Sequence, residues 1–120
     1  MSNVFDDEEF MKIEHVPYNS INWSNINPVE HKGESGTSFW QTVETGNIRV
    51  RIVEYSKGFV ADHFCERGHV GLVLEGELQI KLKDRKTFQL KLGMSFLLAD
   101  DKTNPHTVIS DNGAKIFIID

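Results

Sequence analysis

Four side chains in this sequence have the types and the spacing of a transition-metal site. His63 and Cys65 stand two apart in the segment ADHFCERGH, which His69 closes. Residues two apart on an extended strand leave the same face, so the spacing predicts that the His63 imidazole and the Cys65 thiol point to one side. Gly68 offers a bend, which lets His69 return to the same space at the start of a following strand. His106 lies far along the chain, just after Pro105, whose ring favours an extended Asn104. Three imidazoles and one thiolate form a complete set for Zn2+, and they also suit Fe2+, Ni2+ or Co2+. Cys65 is the only cysteine, so no intrachain disulfide competes for its sulfur. Taken singly, a Cys or His on a strand is most often a packing residue; it is the clustering that points to a metal.

Other residues carry weaker signals. On the strand IRVRIVEY, Glu54 extends the face of Ile48, Val50 and Ile52, which would bring it to a barrel mouth as a proton acceptor. A solvated strand end is its plainer reading. Arg49 and Arg51 share the opposite face with Val53 and Tyr55. Inside a barrel they would clamp a substrate carboxylate; an outer position, solvated or in a dimer contact, is the expectation. His31 lies between Glu30 and Lys32 in a loop, as a surface or lid histidine. Trp40, Phe59, Phe64 and Phe96 read as packing or interface aromatics.

The elements that must position these groups are strands. SFWQTV, IRVRIVEY, VADHFCE, HVGLVLEG, ELQIKLK, TFQLKL, MSFLLA, HTVIS and AKIFIID are short, alternating or apolar segments. Turn chemistry separates most of them: ETGN, Lys57-Gly58, Glu75-Gly76, Asp84-Arg85-Lys86, and Asn112-Gly113, a type I′ hairpin dipeptide. Helical periodicity is almost absent, which predicts an all-β sandwich or barrel. Residues 1–20 read as an N-terminal arm and 21–120 as the barrel domain. In the arm, FDDEEFMKIEHV has room for two weak helical turns around the acidic run Asp6 to Glu9, with Phe5, Phe10 and Ile13 on one side, and Asn19 to Gly36 reads as a loop. Strands with two apolar faces, as where Phe117 and Ile119 oppose Ile116 and Ile118, predict that one sheet is covered by a second subunit, giving a homodimer.

Composition narrows the class. A chain of 120 residues has room for one domain. Its net charge of −5 disfavours nucleic acid and anionic membranes as partners, and no apolar run is long enough to span a bilayer. The acidic start MSNVFDDEEF does not resemble a secretory signal. With a single thiol, the expectation is a cytoplasmic protein.

The chain resembles the cupin superfamily, the RmlC-like jelly rolls. Cupins carry a glycine, a His-x-His pair, a glutamate, a closing glycine, and then a second motif opened by glycine and holding a third histidine. Here Gly58 leads, His63 and Cys65 take the His-x-His slots, His69 takes the glutamate slot and Gly76 closes; Gly93 opens the second motif and His106 fills its histidine slot. The likeness spans roughly residues 38–120. ADHFC, EHKGESGTSFW and VEYSKG are also similar to the bacterial DHCW-motif cupins, although Phe64 separates His63 from Cys65. The resemblance implies a single-domain jelly-roll β-barrel with one divalent metal inside it, held by His63, Cys65, His69 and His106. Cys in place of His and His in place of Glu make a softer set, which favours Zn2+ over Fe2+ or Ni2+. It further implies a metal-dependent small-molecule reaction of the dioxygenase or isomerase kind. The alternative is a non-catalytic ligand-binding or sensor module with a closed zinc site.

Overall fold

The computed structural model describes residues 12–120; the run Asp6–Glu9, Phe5 and Phe10 lie outside the described residues. Nine strands follow a single 3-10 turn at Trp23–Asn25. They are β1 (Val29–Lys32), β2 (Thr37–Thr45), β3 (Ile48–Tyr55), β4 (Phe59–Val60), β5 (His69–Leu82), β6 (Thr87–Lys91), β7 (Ser95–Leu98), β8 (His106–Ser110) and β9 (Ala114–Ile119). The all-β expectation holds, and the strands curl into one antiparallel barrel-like sheet. Its order is β1-β2-β3-β9-β5-β8-β4, with β6 and β7 also paired to β5.

β5 is the pivot. Its first half pairs with β7 and β9, its second half with β6 and β8. The sequence reading placed a turn at Glu75-Gly76. Instead the strand runs through, with a bulge between Val73 and Glu75 and a positive φ of 70° at Gly76. The bulge reverses which residues point inward: His69, Gly71 and Val73 before it, Leu78 and Ile80 after it. Gly76 is required there, because a Cβ would run into the Gly113 carbonyl. Asn112-Gly113 does not close a hairpin either. It carries the chain from β8, beside the second half of β5, to β9, beside the first half.

Two further departures concern elements near the site. The expected loop Asn19–Gly36 contains β1, which pairs with β2, and the 3-10 turn, capped by the Asn22 side chain. The expected strand VADHFCE shrinks to Phe59–Val60, followed by bends and one isolated bridge at Cys65.

One part of the barrel is filled by Val53, Val73, Leu78, Ile80, Ile116 and Ile118, all buried. Fully burying such a side chain contributes roughly 1.5–3 kcal/mol. On β9 the alternation is plain: Ala114, Ile116 and Ile118 face in, while Phe117 and Ile119 face out. Residues 21–26 lie across the outside of this sheet. Gln41 Nε2 donates to the carbonyls of Trp23 and Ile26, and Trp23 meets Phe117 edge-on at 6.4 Å. This segment thereby covers the β2–β3–β9 side.

Candidate metal centre and cavity

Each inward residue of the site is placed by strand register. Cys65 and His106 form an antiparallel bridge in which Cys65 N donates to His106 O at 2.6 Å and His106 N donates to Cys65 O at 2.9 Å. Residues paired in this way present their side chains on the same face. His69 opens β5 pointing inward, and its ring meets that of His106 edge to face at 4.9 Å between centroids. The donor atoms of Cys65, His69 and His106 all lie within 4.8 Å of one another. Three such donors on a tetrahedral zinc would stand about 3.4–3.6 Å apart, given Zn–N near 2.0 Å and Zn–S near 2.3 Å. The difference is within reach of side-chain rotation.

His63 stands apart from these three. With no strand beyond Val60, the period-two argument that placed His63 and Cys65 on one face fails. The His63 side chain is 73% exposed, and its Nδ1 lies 2.6 Å from Asp62 Oδ1. It remains at the cavity mouth, where Thr107 Oγ1 donates to its carbonyl at 3.1 Å.

Asp120 was missed in the sequence, although it continues the inward period of Ala114, Ile116 and Ile118. Its side chain is fully buried. Register sets Arg49 on one side, where Arg49 N and Asp120 N each donate to the other's carbonyl. On the other side Val70 pairs with Ile119, which brings His69 alongside. Asp120 accepts a forked pair of bonds from Arg49, 2.8 Å from Nε and 2.7 Å from Nη2, and one at 3.1 Å from Arg51 Nη2. Burial alone would raise its carboxyl, but the Arg49 hydrogen bonds and the Arg51, Arg49 and His69 charges hold it below the ordinary carboxylate value.

His69 Nδ1 approaches Asp120 Oδ2 at 2.7 Å, off the line of a hydrogen bond, so this buried nitrogen is left without one. After a small ring rotation Asp120 would orient a His69 imidazole that holds a metal through Nε2. Burial pulls His69 down to about 4, against Asp120, with His106, Arg51 and Arg49 adding to the fall. Burial, then the nearby His63, lowers His106 as well. Both rings are therefore neutral near pH 7, the form that binds metal. On donor type, separation and protonation, the residues fit a divalent transition metal.

These groups border a cavity of about 280 Å3. Arg49 and Arg51 line it, which overturns the outer placement expected of them, and so do Trp40, Phe59 and Phe96. The inward face of β3 is Arg49, Arg51, Val53 and Tyr55, because those positions share parity with buried Val53. Glu54 consequently lies on the outer, exposed face, away from the cavity. Arg51 stacks on Trp40, its guanidinium carbon 4.5 Å from the ring centroid, and Trp40 Nε1 donates to Ser38 Oγ at 2.9 Å. His31 is exposed, as a surface histidine, and from β1 it lines the cavity and stacks on Trp40 at 4.1 Å. Phe64 is exposed. Burial pushes the Tyr55 phenol up to about 12, so it stays a neutral donor.

No family model and no curated protein matches the sequence. Solved structures do match the fold. An RmlC-like cupin from Shewanella frigidimarina is 18% identical, with 89% of each chain covered and a TM-score of 0.61. A predicted oxalate decarboxylase from Thermotoga maritima is 13% identical over 84% of this chain and 96% of its own, with a TM-score of 0.70. Fe(II)-HppE with the alternative substrate (S)-1-HPP is 14% identical over 86% of this chain and 60% of its own, with a TM-score of 0.70. At such identities the likeness is one of fold.

Proposed function

Because the chain has the cupin fold, we propose that it is a metal-dependent cupin acting on a small molecule, with one divalent ion bound by Cys65, His69 and His106. The observation that carries this reading is the convergence of one sulfur and two neutral imidazoles beside an internal cavity. His63, at the mouth, is the fourth ligand when the Asp62–Cys65 bend closes. Zinc is the ion that the cysteine favours, with Fe2+ or Ni2+ as competitors.

Cys65, His69 and His106 would hold the ion, with His63 turned out at the mouth. When bound, the ion supplies Lewis-acid chemistry to a group held in the cavity. The chain's own residues do the rest. Asp120 holds the His69 ring, the apolar wall excludes water, and Tyr55 offers a neutral hydroxyl proton. The reaction class that suits such a site is a dioxygenase- or isomerase-like conversion; the Fe(II)-bound fold neighbour supports the metal dependence. A single cysteine ligand works where the thiol stays reduced, which fits the cytoplasm. Exposed Val70, Leu72 and Leu97 on the outer sheet face support a homodimer.

Elemental analysis of untagged protein tests the reading. Wild type is expected to hold about one metal ion per chain, His106→Ala little or none, and His63→Ala an ion that is lost more readily to chelator. Metal-free wild type after growth with added zinc and iron would overturn it.

A further inference from the structure

Arg49 and Arg51 both turn to Asp120, and among these buried groups two guanidinium charges against one carboxylate leave one over; the other charged lining residues, Lys32 and Asp62, are exposed and of opposite sign. Arg67 reaches the same carboxylate only at 3.6 Å and from a half-exposed position. Arg49 is tied down by its fork. Arg51 is not: it is 4% exposed, gives Asp120 one hydrogen bond out of five N–H donors, and its buried Nε has no partner among the described residues. A buried donor of this kind is costly unless an acceptor meets it. Arg51 is also held in place, stacked on a Trp40 ring that Ser38 fixes from behind. Such a pre-set guanidinium plane matches the two oxygens of a carboxylate.

Two neighbours refine the ligand class. Tyr55 lines the same cavity from the same face of β3, and among the described residues its hydroxyl makes no hydrogen bond. Much of the remaining wall is apolar, with Phe59, Ile80, Phe96 and Val108. At about 280 Å3 the space falls at the lower edge of ligand pockets, so the occupant is small.

We propose that the cavity binds a small monocarboxylic acid with an apolar body, its carboxylate on Arg51 and the Tyr55 hydroxyl and its body against Phe59, Phe96 and Val108. One net positive charge matches a monoanion; a phosphate dianion would leave a buried negative charge uncompensated. This names the substrate class of the proposed enzyme, but it stands on the inward arginines and not on the ion.

Calorimetric titration with benzoate and with its neutral isostere benzamide tests it, on zinc-loaded and on chelator-treated wild type. Benzoate is expected to bind saturably to both forms, with benzamide weaker by about tenfold or more, since only the anion meets the guanidinium. Arg51→Met, checked for folding by circular dichroism, is expected to lose benzoate binding by a similar factor. Equal binding of the two probes by wild type, or no benzoate binding by either form, overturns the proposal without recourse to the variant. The two readings separate cleanly. Zinc uptake without benzoate binding removes the anion site and leaves the metal; benzoate binding without zinc uptake does the reverse.

Discussion

The Asp120 side chain has no solvent contact, yet Arg49, Arg51, Arg67 and His69 all reach it. Its part in the proposed site would be to hold the His69 ring, and outer groups of this kind change metal affinity by about 10–100-fold when altered. Asp120→Asn is therefore expected to weaken zinc binding by roughly that factor in a chelator competition, with one ion still bound at saturation; an unchanged affinity would remove Asp120 from the site. The lowered histidines make a second prediction. His69 is held at about 4 against its ordinary 6.5, so between these values the unfolded chain binds a proton that the folded chain refuses. Metal-free protein is expected to lose urea resistance as the pH falls from 6.5 to 4, and to be level from 6.5 to 8. His106 adds to the loss with the same sign. Asp120, held below 3.8, contributes only at lower pH. A flat urea midpoint across the acid window would contradict the burial of these rings. At this scale the donor types were legible from the spacing of Cys65, His69 and His106. The orientation of His63 was not, because its placement depends on a bend that no local pattern announces. Asp120 was readable in principle, as the next inward position of its strand.

Strand-forming segments were legible because alternation and turn residues are local signals. What failed was parity, which is set by pairing. The two arginines were given the wrong face because both sides of β3 carry β-branched residues, and only the barrel decides which side is interior. β5 was read as two strands since Glu75-Gly76 looks like a turn; the bulge keeps the strand continuous and moves it from one set of partners to the other. Two substitutions distinguish strain from collision. Gly58 and Gly76 share a φ of 70°, but a Cβ on Gly58 meets nothing within 4 Å, while one on Gly76 meets the Gly113 carbonyl. Gly58→Ala is expected to cost about 1 kcal/mol, and Gly76→Ala about 2–3 kcal/mol or more. Equal losses in denaturant unfolding would show that the β5 corner is not as tight as described.

At the scale of the molecule, residues 21–26 cover one side of the outer sheet and leave the other bare. Leu97, Val70, Ile119, Val50 and Val43 form one cross-strand row. Its β7 end is the most open, with Leu97 79% exposed. Exposed apolar surface of this kind marks an interface. Sedimentation is expected to give a dimer for wild type and a monomer for the double variant Val70→Glu, Leu72→Glu; a wild type that is monomeric at every concentration would contradict it. The apolar residues on both faces of β9 made this surface readable in the sequence. The cavity was not readable, since it is formed by strands from distant parts of the chain.

The central claim is that sulfur and imidazole from separate elements meet on one ion, and cobalt substitution tests it most directly. Cobalt(II)-loaded wild type is expected to show a thiolate-to-cobalt charge-transfer absorption in the near ultraviolet, which Cys65→Ser abolishes while the two histidines still hold cobalt weakly. A cobalt spectrum without that absorption, or one that Cys65→Ser leaves unchanged, would contradict the account.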